Sequence, residues 1–166
     1  MERQCPGSAL ANSAAETLSA LNYLLYEDLA RAELFVTMFY MKYHAANGEL
    51  RYANAGHNRP LLLRHGACTE LDAEGLVLGV DKGAVFEEKR LFLEKGDAVL
   101  LYTDGITEAQ DKDGRLFGPA CLSDLFVGHA ETPPQGIIEG VIKELESFCQ
   151  GRAFNDDISL VVLKVT

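Results

Sequence analysis

The chain has 166 residues, enough for one substantial hydrophobic core, and its 48% hydrophobic and 24% charged content is that of an ordinary globular domain. Its 15 Lys and Arg stand against 25 Asp and Glu, a formal charge of −10 that argues against nucleic acid and anionic membranes as partners, since both are held chiefly through cationic side chains. No apolar run approaches the ~20 residues that span a bilayer and no signal-peptide pattern opens the sequence, so no membrane association and a cytoplasmic location are the expectations.

In chain order, Ser13 and Glu16 have capping-box spacing, and Leu18, Leu21, Leu25 and Leu29 recur at near-helical intervals. A helix to about Ala32 that covers a sheet follows. Residues 34–43, rich in Phe, Val, Thr, Met and Tyr, read as a long strand, and Ala46-Asn47-Gly48-Glu49 as an Asn-Gly hairpin turn into a second strand over 50–54. After the loop Ala55-Gly56-His57-Asn58-Arg59-Pro60, Leu61–Arg64 forms a strand, His65-Gly66 a turn, and 67–71 the return. Residues 75–79, apolar between two glycines, suggest close backbone approach. Residues 85–93 alternate as a half-exposed or edge strand does.

Lys95-Gly96-Asp97 is turn chemistry, and Ala98–Tyr102 is an apolar run of the length of a buried strand. Asp111-Lys112-Asp113-Gly114 has its glycine too early for a calcium loop and reads as a hairpin tip. Residues 122–127 suggest a short helix. Pro133-Pro134 opens a longer one, with Ile137, Ile138, Val141, Ile142, Leu145 and Phe148 on its buried face and Gly151 as its C-cap. Residues 158–165 are a β-branched strand. Cys5, Cys68, Cys121 and Cys149 lack any Cys-x-x-Cys pairing and read as structural, reduced thiols.

Two acidic stretches carry the chemistry. Asp104-Gly105 follows the strand Ala98–Tyr102, and Asn155-Asp156-Asp157 precedes the last strand. Each by itself is consistent with a simple turn. If the two strands are neighbours, Asp104 and Asp156 could share a hard divalent cation, which takes carboxylate oxygens as ligands. Such a cation would also reconcile an acidic body with a phosphorylated partner, by inverting the local field. His57 could shuttle a proton or donate to phosphate, or simply fix its loop; Arg59 could greet phosphate through its planar fork, or stay solvated.

Leu101 to Ala109 (LYTDGITEA), Tyr52 to Pro60 (YANAGHNRP) and Asn155 to Leu160 (NDDISL) resemble, in order and spacing, three signature blocks of the SpoIIE/RsbU-type bacterial phosphatases. These form the sporulation and stress-response branch of the metal-dependent PP2C-like (PPM) serine/threonine phosphatases. The resemblance implies an α+β fold, a PP2C-like β-sandwich of antiparallel sheets flanked by helices, over residues 13–166, with residues 1–12 an extension or remnant. It implies a two-metal site for Mn2+ or Mg2+ with Asp104 and Asp156 as ligands, Asp157 ranking below Asp156, and Gly105, His57 and Arg59 as metal-site or phosphate-loop neighbours.

The family's early Gly-Asp-x-x-x-Asp-like and Asp-Val-x-Gly-x-Gly-like blocks have no counterpart here. An N-terminally truncated domain is therefore expected, with an incomplete metal site, weak or no activity alone, and sheet edges free for homo-oligomer formation. The implied substrate is a phosphorylated STAS-type anti-anti-sigma protein in partner-switching signalling. The alternative is a non-catalytic module that keeps the fold to bind such a partner.

Overall fold

The structure, a computed structural model, describes residues 13–166; the expectations for residues 1–12 and for Cys5 lie outside them. In chain order the elements are α1 (Ala14–Ala32), β1 (Met38–His44), β2 (Glu49–Ala55), β3 (Leu61–Arg64), β4 (Ala67–Glu70), β5 (Glu88–Phe92), β6 (Ala98–Tyr102), α2 (Asp104–Thr107), α3 (Gly118–Gly128), α4 (Pro134–Cys149) and β7 (Leu160–Lys164). They fall into two compact units, one of residues up to 57 with 72–93, the other of 58–71 with 94–166.

In the first unit the predicted cap forms: Ser13 Oγ accepts from the Glu16 amide at 3.3 Å. The Glu88 carboxylate reinforces it, accepting from Ser13 Oγ at 2.9 Å and from the Ala14 amide, so a negative charge sits where the helix end exposes its N–H groups. The buried line of α1 is Ala14, Leu18 and Asn22, whereas Leu25 is 37% exposed; the i,i+4 row that starts at Ala14 displaced the leucine row expected from the sequence. Asn22 is fully buried and fully used. Its Nδ2 donates to the Asp81 carbonyl at 2.8 Å and its Oδ1 accepts from the Gly79 amide at 2.9 Å.

The helix covers an antiparallel sheet of order β1-β2-β5, with β5 at an edge as the alternation predicts. The first strand starts at Met38, later than expected: the chain leaves α1 through left-handed Glu33, the Leu34 amide returns to the Leu29 carbonyl at 2.9 Å, and Val36 makes only an isolated bridge to Leu78. The β1–β2 connection is also longer than an Asn-Gly two-residue turn. Pairing of His44 with Glu49 leaves residues 45–48 as the loop, in which only Gly48 has positive φ while Asn47 Oδ1 accepts from the Glu49 amide at 3.1 Å. Close approach in 75–79 is realised at Gly75, where a Cβ would lie 2.1 Å from the Asn54 carbonyl oxygen.

The second unit is built on an antiparallel sheet of order β4-β3-β6-β7. The β3–β4 turn uses His65 (φ 50°) and Gly66 (φ 75°), the pair of left-handed residues that a two-residue hairpin requires. Leu100 from β6, Ile106 from α2, Leu122 and Phe126 from α3, and Val141 and Leu145 from α4 are all fully buried in one cluster. Arg64 and the buried Asp97 lock β3 to the turn before β6, with Nε to Oδ1 and Oδ2 at 3.1 and 3.0 Å, which raises the affinity of the guanidinium for its proton. Helix α4 ends on left-handed Gln150, one residue before the glycine expected to cap it.

Candidate functional site: an acidic cleft at the ends of β6 and β7

Strand β6 sits between β3 and β7, and the β6–β7 ladder ends with Tyr102 opposite Leu160. Thr103 extends the contact beyond the ladder. Its amide donates to the Ser159 carbonyl at 3.2 Å, its hydroxyl accepts from the Ser159 amide at 2.9 Å, and the same hydroxyl donates to the Asp157 carbonyl at 3.1 Å. With that hydroxyl spent on the neighbouring loop, it makes no cap bond to α2. Asp104 is therefore not in a turn, as Asp-Gly alone suggests, but opens the short helix α2, where it is exposed to solvent.

The next residue fixes how closely the two acidic stretches meet. A Cβ on buried Gly105 would lie 2.4 Å from the Asp157 carbonyl oxygen and 3.3 Å from that of Asp156, so only glycine lets the α2 backbone rest on the 155–157 loop. Asp104 and Asp156 are thus brought to one end of one sheet. Within the loop, Asp156 Oδ1 accepts from the Asp157 amide at 2.7 Å, while Asp157 contributes its backbone carbonyl to Thr103. A cleft of about 380 Å³ opens here, lined by Gly105, Glu108, Gln110, Leu116, Asn155 and Asp156.

Residues that sequence reasoning left without a role complete the wall. Glu108, the C-cap of α2, lines the cleft beside Asp156, and its place four positions after Asp104 was the signal that could have drawn attention to it. The hairpin tip predicted at 111–114 forms, closed by the Gln110–Leu116 bridge. Asp111 Oδ1 accepts from the amides of Asp113 at 2.8 Å and Arg115 at 2.9 Å, and these backbone donors, Arg115 first, hold its carboxyl below the usual carboxylate range. Arg152, in the loop after α4, donates to the Asp111 carbonyl at 2.8 Å and so ties the hairpin to the loop that supplies Asp156.

Two further candidates make contacts of their own. His57 Nδ1 is 3.1 Å from Thr37 Oγ1, and the Asn54 side chain grips the backbone of His57 on both sides, at 2.8 and 2.9 Å. Arg59, in the second unit, pairs with Glu70 at 3.4 Å. Cys68, Cys121 and Cys149 are free thiols, and burial pushes those of Cys68 and Cys149 up, against a role as nucleophile or metal ligand.

The donor chemistry of exposed Glu108 and Asp156, which line the cleft, and of exposed Asp104, which opens α2, suits a hard divalent cation. The number falls short: among the described residues no three His, Cys, Asp or Glu side chains converge to hold one ion. No helix among them is long and apolar enough to cross a membrane.

The family profile "Stage II sporulation protein E (SpoIIE)" matches residues 7–166. The chain is 31% identical over 152 residues to phosphoserine phosphatase RsbU of Bacillus subtilis, across 90% of its own length and 44% of that protein's. Among solved structures, the SiaA-PP2C domain of Pseudomonas aeruginosa superimposes with a TM-score of 0.81 at 18% identity, covering 93% of this chain and 61% of that one. The RsbU and RsbW domains of Rv1364c from Mycobacterium tuberculosis give 0.68 at 25% identity, covering 92% and 42%. The chain therefore spans about half of RsbU and less than two thirds of these structures. Antiparallel sheets flanked by helices, the PP2C-like likeness and the profile match agree, and the chain belongs to the SpoIIE family.

Proposed function

We propose that this chain carries part of the active site of a PPM-type protein phosphatase that hydrolyses phosphoserine or phosphothreonine. The observation that carries the reading is the contact at Gly105, which rests the helix that Asp104 opens on the loop of Asp156, beside a cleft lined by Glu108 and Asp156. In this reading Asp104 and Asp156 hold cation, Glu108 adds negative charge to the same wall, and Asp157 orients the loop through its carbonyl. PP2C-type phosphatases depend on manganese or magnesium. In two-metal hydrolases such ions, when bound, activate water and neutralise charge developing on the phosphoryl oxygens. His57 and Arg59 act as loop-fixing residues here rather than as catalytic groups.

The names of the relatives support the substrate class: RsbU and RsbP of Bacillus subtilis are both phosphoserine phosphatases, and one solved neighbour joins RsbU and RsbW domains. A phosphorylated STAS-type anti-anti-sigma protein in a partner-switching circuit, met in the cytoplasm, fits them. The edge strands β1, β5, β4 and β7, with Phe92 and Val161 more than half exposed on β5 and β7, favour self-association.

The shortfall in convergent ligands favours a second reading, a module that binds such a partner without turning it over. One set of preparations decides. Manganese-dependent hydrolysis of p-nitrophenyl phosphate and of a phosphoserine peptide is measured for the wild type and Asp104→Asn, with light scattering on the same samples. Weak, manganese-dependent turnover that Asp104→Asn lowers by at least about tenfold is expected, in a sample heavier than a monomer. Turnover that ignores the substitution sinks the metal-site assignment. Absence of turnover, with partner binding that survives chelator, selects the module. A clean monomer removes the self-association.

A further inference from the structure

Strand β6 ends and helix α2 begins at one residue, Thr103, and the change of partner leaves a neighbouring amide without its usual acceptor. In an antiparallel ladder alternate facing pairs exchange both N–H···O bonds, and the pair that follows Tyr102 with Leu160 is Thr103 with Ser159. The Thr103 amide makes its half of that exchange, donating to the Ser159 carbonyl at 3.2 Å. The other half is lost to the helix. The Thr103 carbonyl accepts from the Ile106 amide at 3.2 Å in the first turn of α2, while the Thr103 backbone itself stays extended. The Thr103 hydroxyl stands in for the diverted carbonyl, accepting from the Ser159 amide at 2.9 Å. Its own proton goes to the Asp157 carbonyl at 3.1 Å, so the donor and an acceptor site of one hydroxyl serve two points on the incoming chain.

That hydroxyl is also the tether of the acidic loop. Asn155, Asp156 and Asp157 are all exposed, and among the described residues no other group outside the loop hydrogen-bonds to them. Gly105 lets α2 come close by having no side chain, but it exerts no pull. The peptide unit that the hydroxyl holds is joined to the cleft through Asp157: the Asp157 amide donates to Asp156 Oδ1 at 2.7 Å, and its carbonyl takes the Thr103 proton.

Resting on the phosphatase reading, we propose that Thr103 is a positioning residue of the acidic cleft, whose hydroxyl holds the 155–157 loop where Asp156 lines the cleft beside Glu108. Cation affinity then depends on the Thr103 hydroxyl although Thr103 is not a ligand, as it does for groups that orient ligands from behind.

Manganese chloride alone is the probe, titrated into the full chain while the electron paramagnetic resonance signal of free Mn2+ is followed. Thr103→Val keeps the shape and removes the hydroxyl, and should weaken binding by about tenfold; Thr103→Ser restores the hydroxyl and should stay within about twofold of the wild type. Thr107→Val removes a hydroxyl that donates within α2, to the Asp104 carbonyl at 3.3 Å, and should leave the affinity unchanged. Amide exchange without metal reads the bond directly, and Ser159 should exchange faster in Thr103→Val than in the wild type or Thr103→Ser. Circular dichroism checks the fold of each variant, and Thr103→Ala takes the place of Thr103→Val if the latter does not fold. Equal Mn2+ affinity in the wild type and Thr103→Val, no recovery in Thr103→Ser, an equal loss in Thr107→Val, or unchanged exchange at Ser159 overturns the proposal and leaves the phosphatase reading standing. A wild type that binds no Mn2+ overturns the metal-site reading, and the role of Thr103 falls with it.

Discussion

The two units solve the same packing problem with different materials. The buried cluster of the first is rich in small side chains, with Ala14, Ala53, Ala55 and Ala84 around Leu18, Leu78 and Phe86. It closes with a polar group, Asn22, whose side-chain amide holds one backbone segment at two points, 57 and 59 positions away in sequence. The second is packed by large side chains from five helix and strand elements, and its polar lock, Arg64 with Asp97, ties β3 to the turn before β6. The unit with the larger apolar interior is the one that presents exposed Asp104, Glu108 and Asp156. Like charges on one unit cost stability through repulsion, and a large apolar core in that unit can offset it.

The largest test of that contrast removes Phe126, which is fully buried under α4. Phe126→Ala should cost about 3–5 kcal/mol through lost transfer energy and an unfilled cavity. Urea unfolding followed by hydrogen exchange at the β6 amides reads it. A cost below about 1 kcal/mol would mean that the second unit is not the better packed of the two.

In the first unit the sharper probe is Asn22→Ala. It leaves the Gly79 amide without its partner inside the protein, takes one donor from the Asp81 carbonyl, which keeps the Ala84 amide at 3.1 Å, and should cost about 1–3 kcal/mol. The distinguishing readout is local: faster exchange of the Gly79 amide, ahead of the β1–β2 ladder. Exchange at Gly79 that stays as slow as in the wild type would show that the side chain is a passenger there.

How much of this was legible depended on the range of each interaction. Strands Leu61–Arg64 and Ala98–Tyr102, the Ser13 cap and the turn at His65-Gly66 were readable because run length, capping chemistry and left-handed φ are set within a few residues. The burial of Asn22 was not readable, since its partners lie on the other side of the unit, and a polar residue one step off a leucine row looks like surface. The same holds for the late start of β1, which depends on how Leu34 returns to α1.

At the site, Asp104 and Asp156 were visible because each stands at the end of a strongly patterned strand. The resemblance of LYTDGITEA and NDDISL to family blocks then joined two acidic turns that composition alone leaves separate. What the letters did not announce was the means of joining. Thr103 and Gly105 look like turn residues, yet one supplies a hydroxyl to the Asp157 carbonyl and the other supplies absence of a side chain. Arg152 and Asp111, 41 positions apart, carried no local pattern at all.

The smallest expected effect concerns the hairpin that borders the cleft. The Asp113 and Arg115 amides lower the Asp111 pKa from its ordinary value of 3.8, so the hairpin draws stability from the ionised carboxylate. That contribution is present above the unfolded-state pKa and is lost as pH falls through the folded one, below 3.8. A pH titration of the Asp113 and Arg115 amide shifts should have a midpoint below that of an aspartate in an unstructured peptide. Asp111→Asn, which keeps one acceptor oxygen, should abolish the titration while leaving both amides protected at neutral pH. A midpoint at or above the peptide value would mean that the amides do not hold the carboxylate, and the hairpin would rest on its backbone bonds and on Arg152.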